Sequence, residues 1–218
     1  STPSPPTPTP PNPVLAAPPV TSECDVDPWL VVGLGNPGPE YGRTRHNVGV
    51  MAVEALAHRW GGRLRGDKYT RCDIFDHRWE GHRVVLARGR SYMNESGGPV
   101  SVLARHVGAE PDQILLVHDE LDIAFGSLRV KHGGGDGGHN GLRSVRGSLA
   151  TGDTIRIRIG IGRPPGRQDP ADYVLHAFNS VQADELPLLL DRAGDAIECV
   201  IRDGVSVAQN RFHPEVAP

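Results

Sequence analysis

Side chains able to move a proton or polarise a carbonyl group stand in a few short motifs of this 218-residue chain. His46 comes late in the stretch GLGNPGPEYGRTRHNVG, just before a segment with helical periodicity that Thr44 could cap. An imidazole in the first turn of a helix lies near positive backbone N–H groups, which disfavour its cationic form. His46 is therefore a candidate general base, because a neutral imidazole accepts a proton.

A carboxylate partner for this imidazole is predicted at the end of the motif QILLVHDEL. The short apolar run is typical of a buried strand, and it places Asp119 or Glu120 at the sheet edge where active sites of open α/β folds collect. A carboxylate that accepts a hydrogen bond from one ring nitrogen fixes the tautomer and stabilises the imidazolium formed on proton uptake. His46 and one of these two acids are thus a candidate pair.

Two loops, SYMNESGG and GGHNGL, each place an asparagine just before a predicted helix. Asn94 and Asn140 offer uncharged amides that can orient water or polarise a carbonyl group. The alternative is that each asparagine caps the helix that follows it. The chain has no G-x-S-x-G motif, so no serine is indicated as a nucleophile.

The first loop also matches the dinucleotide-binding pattern G-x-G-x-x-G, at Gly33, Gly35 and Gly38. Pro37 removes a backbone N–H that a phosphate cradle would use, and the loop continues well past the last glycine before a helix can start. The acidic ribose ligand should end a second strand, whereas Glu54 falls in the middle of a predicted helix. We expect neither a nicotinamide nor a flavin cofactor.

Metal and disulfide chemistry find little support. His118, Asp119 and Asp122 have side chains of the metal-ligating type, but strand alternation turns the first two to opposite faces. The cysteines are odd in number and far apart, which indicates reduced thiols of a cytosolic protein; they are Cys24, Cys72 and Cys199. We expect no metal, and the absence of a long apolar run predicts no membrane span.

The charge is unevenly distributed along the chain, although the formal net charge is only −3. Residues 126–167 contain eight basic and two acidic residues, whereas residues 168–218 contain nine acidic and three basic residues. A basic stretch beside an acidic one suggests a face that attracts a polyanion such as nucleic acid. On charge alone, an ordinary solvated surface remains an alternative.

Short apolar runs typical of strands alternate with segments of helical periodicity. YTRCDIFDHRW and HRVVLAR flank Glu80 and Gly81 and predict a hairpin. DTIRIRIGIG alternates isoleucine with arginine or glycine, which predicts a half-buried strand. We expect one α/β domain over residues 28–218, in which helices cover both faces of a mixed, mostly parallel twisted sheet.

Residues 1–27 are expected to form a disordered Pro-rich N-terminal extension. The first twenty residues contain nine prolines and no charged side chain, a composition that favours solvated polyproline II over a packed core. The segment also lacks the basic and apolar regions of a signal peptide.

Four motifs in this order and spacing closely resemble bacterial-type peptidyl-tRNA hydrolases: GLGNPGPEYGRTRHNVG, SYMNESG, HDELD and GGGDGGHNGLRS. The resemblance runs from Trp29 to Phe212. It implies a monomeric, cytoplasmic α/β enzyme that hydrolyses the ester between a peptide, or an N-blocked amino acid, and the 3′ end of tRNA. It also implies that the reaction needs neither a metal nor a cofactor.

The resemblance assigns roles to the polar residues of these motifs. His46 corresponds to the catalytic base and Asp119 to its carboxylate partner. Asn36 lies where the family distinguishes blocked from free aminoacyl groups. Asn94 and Asn140 correspond to residues that bind and position the substrate end, and Asn94 is also a candidate stabiliser of the oxyanion.

Further residues correspond to those that bind the two ends of the substrate. Tyr41, Tyr92 and Met93 match residues that line the cleft around the peptide and the terminal adenosine. Lys131 and Arg158 match a clamp on tRNA phosphate, which gives the basic stretch a function.

The sequence departs from the common family pattern in two places. Tyr92 stands where phenylalanine is frequent. Asp136 adds a negative charge to the Gly-rich loop GGGDGGHNG, residues 133–141, near the proposed RNA-binding face. A rival interpretation is a non-catalytic RNA-binding relative, because plant organelle splicing factors share this fold. The presence of the histidine, the aspartate and all three asparagines favours an enzyme.

Overall fold

The computed structural model describes residues 28–213, so the predicted N-terminal extension and Cys24 lie outside the described residues. Within this range the strands are β1 Trp29–Gly33, β2 Arg65–Gly66, β3 Cys72–Trp79, β4 His82–Gly89, β5 Ile114–Glu120, β6 Leu128–His132 and β7 Ile155–Gly160. The α-helices are α1 Val48–Arg59, α2 Gly97–Val107, α3 Asn140–Leu149, α4 Pro170–Val174, α5 Ser180–Asp203 and α6 Val205–Phe212. Short 3₁₀ turns cover Arg45–Asn47, Met93–Glu95 and Pro111–Gln113.

The strands form one mixed sheet in the order β2-β3-β4-β1-β5-β7-β6. The central strands β4, β1, β5 and β7 run parallel, and the predicted hairpin of β3 and β4 and the strand β6 add antiparallel pairs at the two sides. Parallel pairing brings the carboxyl ends of the central strands to one edge, where the connecting loops meet. The predicted fold class is confirmed.

Alternation along β1 divides the core into two layers. Val31 packs on the face covered by α1 and α5, whereas Leu30 and Val32 pack on the face covered by α2 and α3. Because both faces are buried, the central strands are continuous apolar runs, as expected of parallel strands covered by helices. No helix among residues 28–213 is both long enough and apolar enough to cross a bilayer.

Helix α1 begins against the backbone of β5. A Cβ atom added at Gly49 would lie 2.1 Å from the carbonyl oxygen of Val117 and 3.1 Å from that of Leu34. The same carbonyl of Val117 accepts a hydrogen bond of 2.9 Å from the backbone N–H of Leu34. Only glycine permits this approach, which brings the turn before α1 next to the carboxyl end of β5.

Two local predictions were wrong. Thr44 does not cap α1 with its side chain, because its hydroxyl donates to the carbonyl of Tyr41 at 2.9 Å. His46 lies instead in a 3₁₀ turn that precedes α1. The backbone N–H of Arg45 holds this turn in place by donating to the backbone carbonyl of His176 at 3.0 Å.

Strand β7 is more deeply buried than the predicted half-buried strand, because Arg158 is its one partly exposed residue. Arg156 is only 4% exposed, since β7 lies between two other strands and the Gly-rich loop covers its arginine face. The guanidinium of Arg156 donates to the carbonyls of Gly134 and Gly135, so backbone oxygens replace water around the charge. Alternation therefore predicted the faces of this strand correctly but not their exposure.

We predict that Gly49→Ala destabilises the fold by about 1–3 kcal/mol, because the added methyl group meets backbone atoms that cannot move aside. Gly98→Ala is the matched control, since Gly98 lies in α2 and an added Cβ would have no neighbour within 4 Å. That control should be neutral or stabilise the fold by up to about 1 kcal/mol. Urea denaturation measures both, and equal stability of the two variants would contradict the packing argument.

Candidate active site

The candidate site lies where the turn before α1, the carboxyl end of β5 and the N-terminus of α3 meet. These elements contribute His46, Asp119 and the residues His139 and Asn140 to one hollow of about 320 Å³. Apolar side chains of Leu121 and of α4 also line this hollow. The hollow therefore combines ionisable groups with a surface suited to an organic substrate.

His46 and Asp119 are in direct contact. Nδ1 of His46 lies 2.9 Å from Oδ1 and 3.0 Å from Oδ2 of Asp119, so the ring donates to the carboxylate. Glu120, the alternative partner considered from the sequence, instead accepts hydrogen bonds from Arg158. Nε2 of His46 makes no hydrogen bond to any of residues 28–213 and is the nitrogen left for a substrate or water.

His139 is a second imidazole on the same carboxylate, and the sequence analysis missed it. Its Nε2 lies 3.0 Å from Oδ1 of Asp119, and its Nδ1 accepts from the backbone N–H of Leu142 at 3.3 Å. The available signal was its position in GGHNGL, where a polar side chain precedes a helix; only Asn140 of that motif was considered.

The Asp119 carboxylate is anionic although the residue is only 4% exposed. Burial acts to raise its pKa, but the neighbouring His139 and the hydrogen bonds from His139 and His46 outweigh burial and hold the pKa well below its usual range. The carboxylate is thus an anionic acceptor for the ring of His46.

His118 lies behind the pair as a buried neutral imidazole. Its ring packs edge-on against that of His139, with centroids 4.9 Å apart, and its Nδ1 donates to the backbone carbonyl of Asp119 at 2.8 Å. Burial, followed by the proximity of His139, lowers the pKa of His118 to about 3. His118 therefore adds no positive charge that would compete with His46 for the carboxylate.

Asn36 lies beside a neighbouring hollow of about 470 Å³ and not in the one lined by His46. Its Oδ1 accepts from the backbone N–H of Met93 at 2.8 Å, while its backbone exchanges hydrogen bonds with the Asn47 side chain. Because the amide oxygen is engaged, the amide N–H₂ group is the part of Asn36 available to a ligand. Met93 in turn packs its sulfur over Gly141, so the two asparagine loops are in contact.

The other two asparagines occupy different positions. Asn140 is the first residue of α3 and lines the hollow with His46, whereas Asn94 is exposed in the 3₁₀ turn after β4. The N-caps of α2 and α3 are Ser96 and His139, so the capping alternative is wrong for both asparagines. Tyr41 and Tyr92 meet edge to face with ring centroids 6.4 Å apart, and Tyr92 is 54% exposed.

Lys131 and Arg158 lie together beside a third hollow of about 250 Å³, under the Gly-rich loop. Nη2 of Arg158 is 2.9 Å from Oε2 of Glu120, so part of its charge is already compensated. Asp136 also lines this hollow; its Oδ1 accepts from the backbone N–H of Gly138, a bond that lowers the pKa of Asp136. The negative charge of Asp136 is thus partly stabilised by the backbone of its own loop.

One set of side chains in the described range offers metal-ligating atoms within 4.8 Å of one another, namely His46, Asp119 and His139. This set differs from His118, Asp119 and Asp122, the residues that the sequence analysis considered as metal ligands. Hydrogen bonds between the rings and the carboxylate engage these atoms, an arrangement suited to proton transfer. That no metal takes part stays a prediction.

The chain is similar to known proteins over most of its length. The family model for peptidyl-tRNA hydrolase matches residues 30–218. A peptidyl-tRNA hydrolase of Frankia alni is 54% identical over 189 residues, which are 87% of this chain and 95% of the relative. One from Nocardia farcinica is 53% identical and covers 85% of this chain and 96% of its own length.

A solved structure is similar as well. The crystal structure of peptidyl-tRNA hydrolase from Acinetobacter baumannii is 37% identical, with a TM-score of 0.79, covering 85% of this chain and 94% of that one. These similarities confirm the resemblance seen in the motifs. The chain belongs to the peptidyl-tRNA hydrolase family.

Proposed function

We propose that this protein hydrolyses the ester bond between a peptide, or an N-blocked amino acid, and the 3′ end of tRNA, and so returns tRNA to translation. Membership of the peptidyl-tRNA hydrolase family supports this function. The observation that carries the mechanism is the His46 ring, whose Nδ1 is held by the buried Asp119 while its Nε2 is free in the hollow.

The proposed reaction is general-base hydrolysis. Nε2 of His46 takes a proton from water as the water oxygen attacks the ester carbonyl, and Asp119 stabilises the imidazolium that forms. Asn94, together with a backbone N–H, stabilises the oxyanion of the tetrahedral intermediate. The intermediate then collapses, and the 3′ oxygen of the tRNA leaves with the proton that the imidazolium returns.

The remaining residues bind and select the substrate. Asn140 positions the substrate end inside the hollow, and Tyr41, Tyr92 and Met93 contact the peptide and the terminal adenosine. Lys131 and Arg158 bind tRNA phosphate, which attaches the RNA beside the catalytic pair. The non-catalytic RNA-binding alternative is not favoured, since the curated relatives at about half identity are hydrolases by name.

We further propose that the protein acts as a cytoplasmic monomer. Cys72 and Cys199 are buried free thiols, and burial raises the pKa of Cys72 to about 11. Thiols with such environments are unreactive and suit a reducing compartment.

We predict that His46→Ala lowers kcat by about 10²–10⁴-fold, because the water loses its base. Binding of tRNA should change little, since the phosphate contacts lie elsewhere. Single-turnover hydrolysis of N-acetyl-aminoacyl-tRNA measures the rate, with His58→Ala as control because His58 is exposed on α1. Near-normal turnover in His46→Ala would show that another group is the base.

We predict that Lys131→Ala and Arg158→Ala each raise KM and reduce the slope of log KM against log salt by about one unit, because each phosphate contact releases counterions. Arg78→Ala is the matched control, since Arg78 is exposed on β3, near the opposite side of the sheet. Measurement of KM over a range of salt concentrations tests these phosphate contacts. Slopes equal to that of the control in both variants would contradict the proposed contacts.

We predict that Asn36→Asp weakens the discrimination between blocked and free aminoacyl-tRNA by about tenfold or more. Aspartate keeps an acceptor for the Met93 N–H but replaces the outward amide donor with an anionic oxygen, which attracts a free α-ammonium group. The ratio of kcat/KM for the two substrates is the measurement. Asn179→Asp, at the N-cap of α5, is the control, and an unchanged ratio in Asn36→Asp argues against the assigned role.

A further inference from the structure

His139 makes contacts inside the catalytic hollow that the proposed mechanism does not use. Its ring centroid lies 5.0 Å from that of His46 and 4.9 Å from that of His118. Cε1 of the ring lies so near the chain that a Cβ added at Gly141 would be 3.1 Å from it. The imidazole is therefore packed tightly between the catalytic histidine, the end of β5 and the start of α3.

The hydrogen bonds of His139 determine where its proton lies. The backbone N–H of Leu142 donates to Nδ1 at 3.3 Å, so Nδ1 carries no proton. Nε2 therefore carries the proton and donates it to Oδ1 of Asp119 at 3.0 Å. The same oxygen accepts from Nδ1 of His46 at 2.9 Å, so one carboxylate oxygen is shared by two imidazoles.

We propose that His139 is a positioning residue for the hydrolysis, because its Nε2–H fixes the Asp119 carboxylate in the orientation that holds the His46 ring for proton transfer. This inference rests on the proposed function, since His139 acts through the His46–Asp119 pair. Asp119 is almost fully buried, so water cannot replace a lost donor without reorganisation. Without His139 the carboxylate keeps the His46 contact alone and can turn about its terminal torsion.

His139 cannot serve as a second base in this arrangement. A neutral imidazole has one nitrogen with a free lone pair, and in His139 that nitrogen already accepts from Leu142. In His46 the corresponding nitrogen, Nε2, is open to the hollow. The two rings that contact one carboxylate therefore have different roles, which their hydrogen bonds to the backbone determine.

Two substitutions separate the contact with Asp119 from the helix cap. In His139→Asn the short side chain still caps α3, as asparagine does well, but cannot reach Asp119. In His139→Gln the longer side chain places an amide N–H₂ near the position of Nε2 and restores the donor. Thermal unfolding of both variants checks that α3 and the fold are retained.

We expect His139→Asn to lower kcat by about 10- to 100-fold with little change in KM, since a hydrogen bond to a charged group is lost outside the RNA contacts. His139→Gln should recover most of this loss. Unchanged kcat in His139→Asn, or equal losses in both variants, would overturn the proposal.

The pH profile gives a readout that a purely structural role would not change. A carboxylate that has lost one donor attracts the His46 proton more strongly, so kcat/KM in His139→Asn should reach half of its maximum at a higher pH. The ionisable groups that face this hollow are His46, Asp119, Glu120, His139 and Asp169, and His118 packs against His139 from β5. A loss of kcat with an unmoved midpoint would contradict a role through His46.

A double variant separates this inference from the assignment of the base. If His139 acts through His46, His46→Ala with His139→Asn should be no slower than His46→Ala alone. Additive losses would overturn the positioning role while leaving His46 as the base. Normal turnover in His46→Ala alone would instead refute the proposed base, whatever the His139 variants show.

Discussion

The Asp119 carboxylate carries a full negative charge in a place that excludes water, and the catalytic arrangement depends on how that charge is stabilised. An unpaired buried charge is costly, so the two imidazole donors stabilise the carboxylate in its buried position. The carboxylate also fixes the tautomer of His46, so that Nε2 of the ring carries no proton. The buried His118 stays neutral and so leaves this balance undisturbed.

The sheet brings these groups together from distant parts of the chain. Parallel pairing of β1, β5 and β7 directs their carboxyl ends to one edge, and the loops that follow them supply the polar residues. The close contact between Gly49 and the backbone of Val117 then positions the turn that carries His46 beside β5. The site joins His46 and Asn140, which are 94 residues apart in sequence, and it thus depends on a few backbone contacts that tolerate no added atoms.

The cations of the basic stretch are less available than their number suggests. Arg156 is buried against carbonyl groups of the Gly-rich loop, and Arg158 forms a salt bridge with Glu120. Lys131 remains exposed beside the hollow under the Gly-rich loop. In the proposed function, recognition of RNA by this face depends on where a few charges lie, and a net charge of −3 is compatible with it.

Residue types and short-range patterns sufficed to predict the α/β fold, the hairpin, and the pairing of His46 with an acid at the end of β5, because period and turn chemistry are local properties. They could not choose between Asp119 and Glu120, and they overlooked His139. Those outcomes depend on which side chain faces which neighbour across the sheet edge. Likewise, the burial of Arg156 follows from a loop that folds back over β7. Such contacts join residues far apart in sequence, so only the folded backbone determines them.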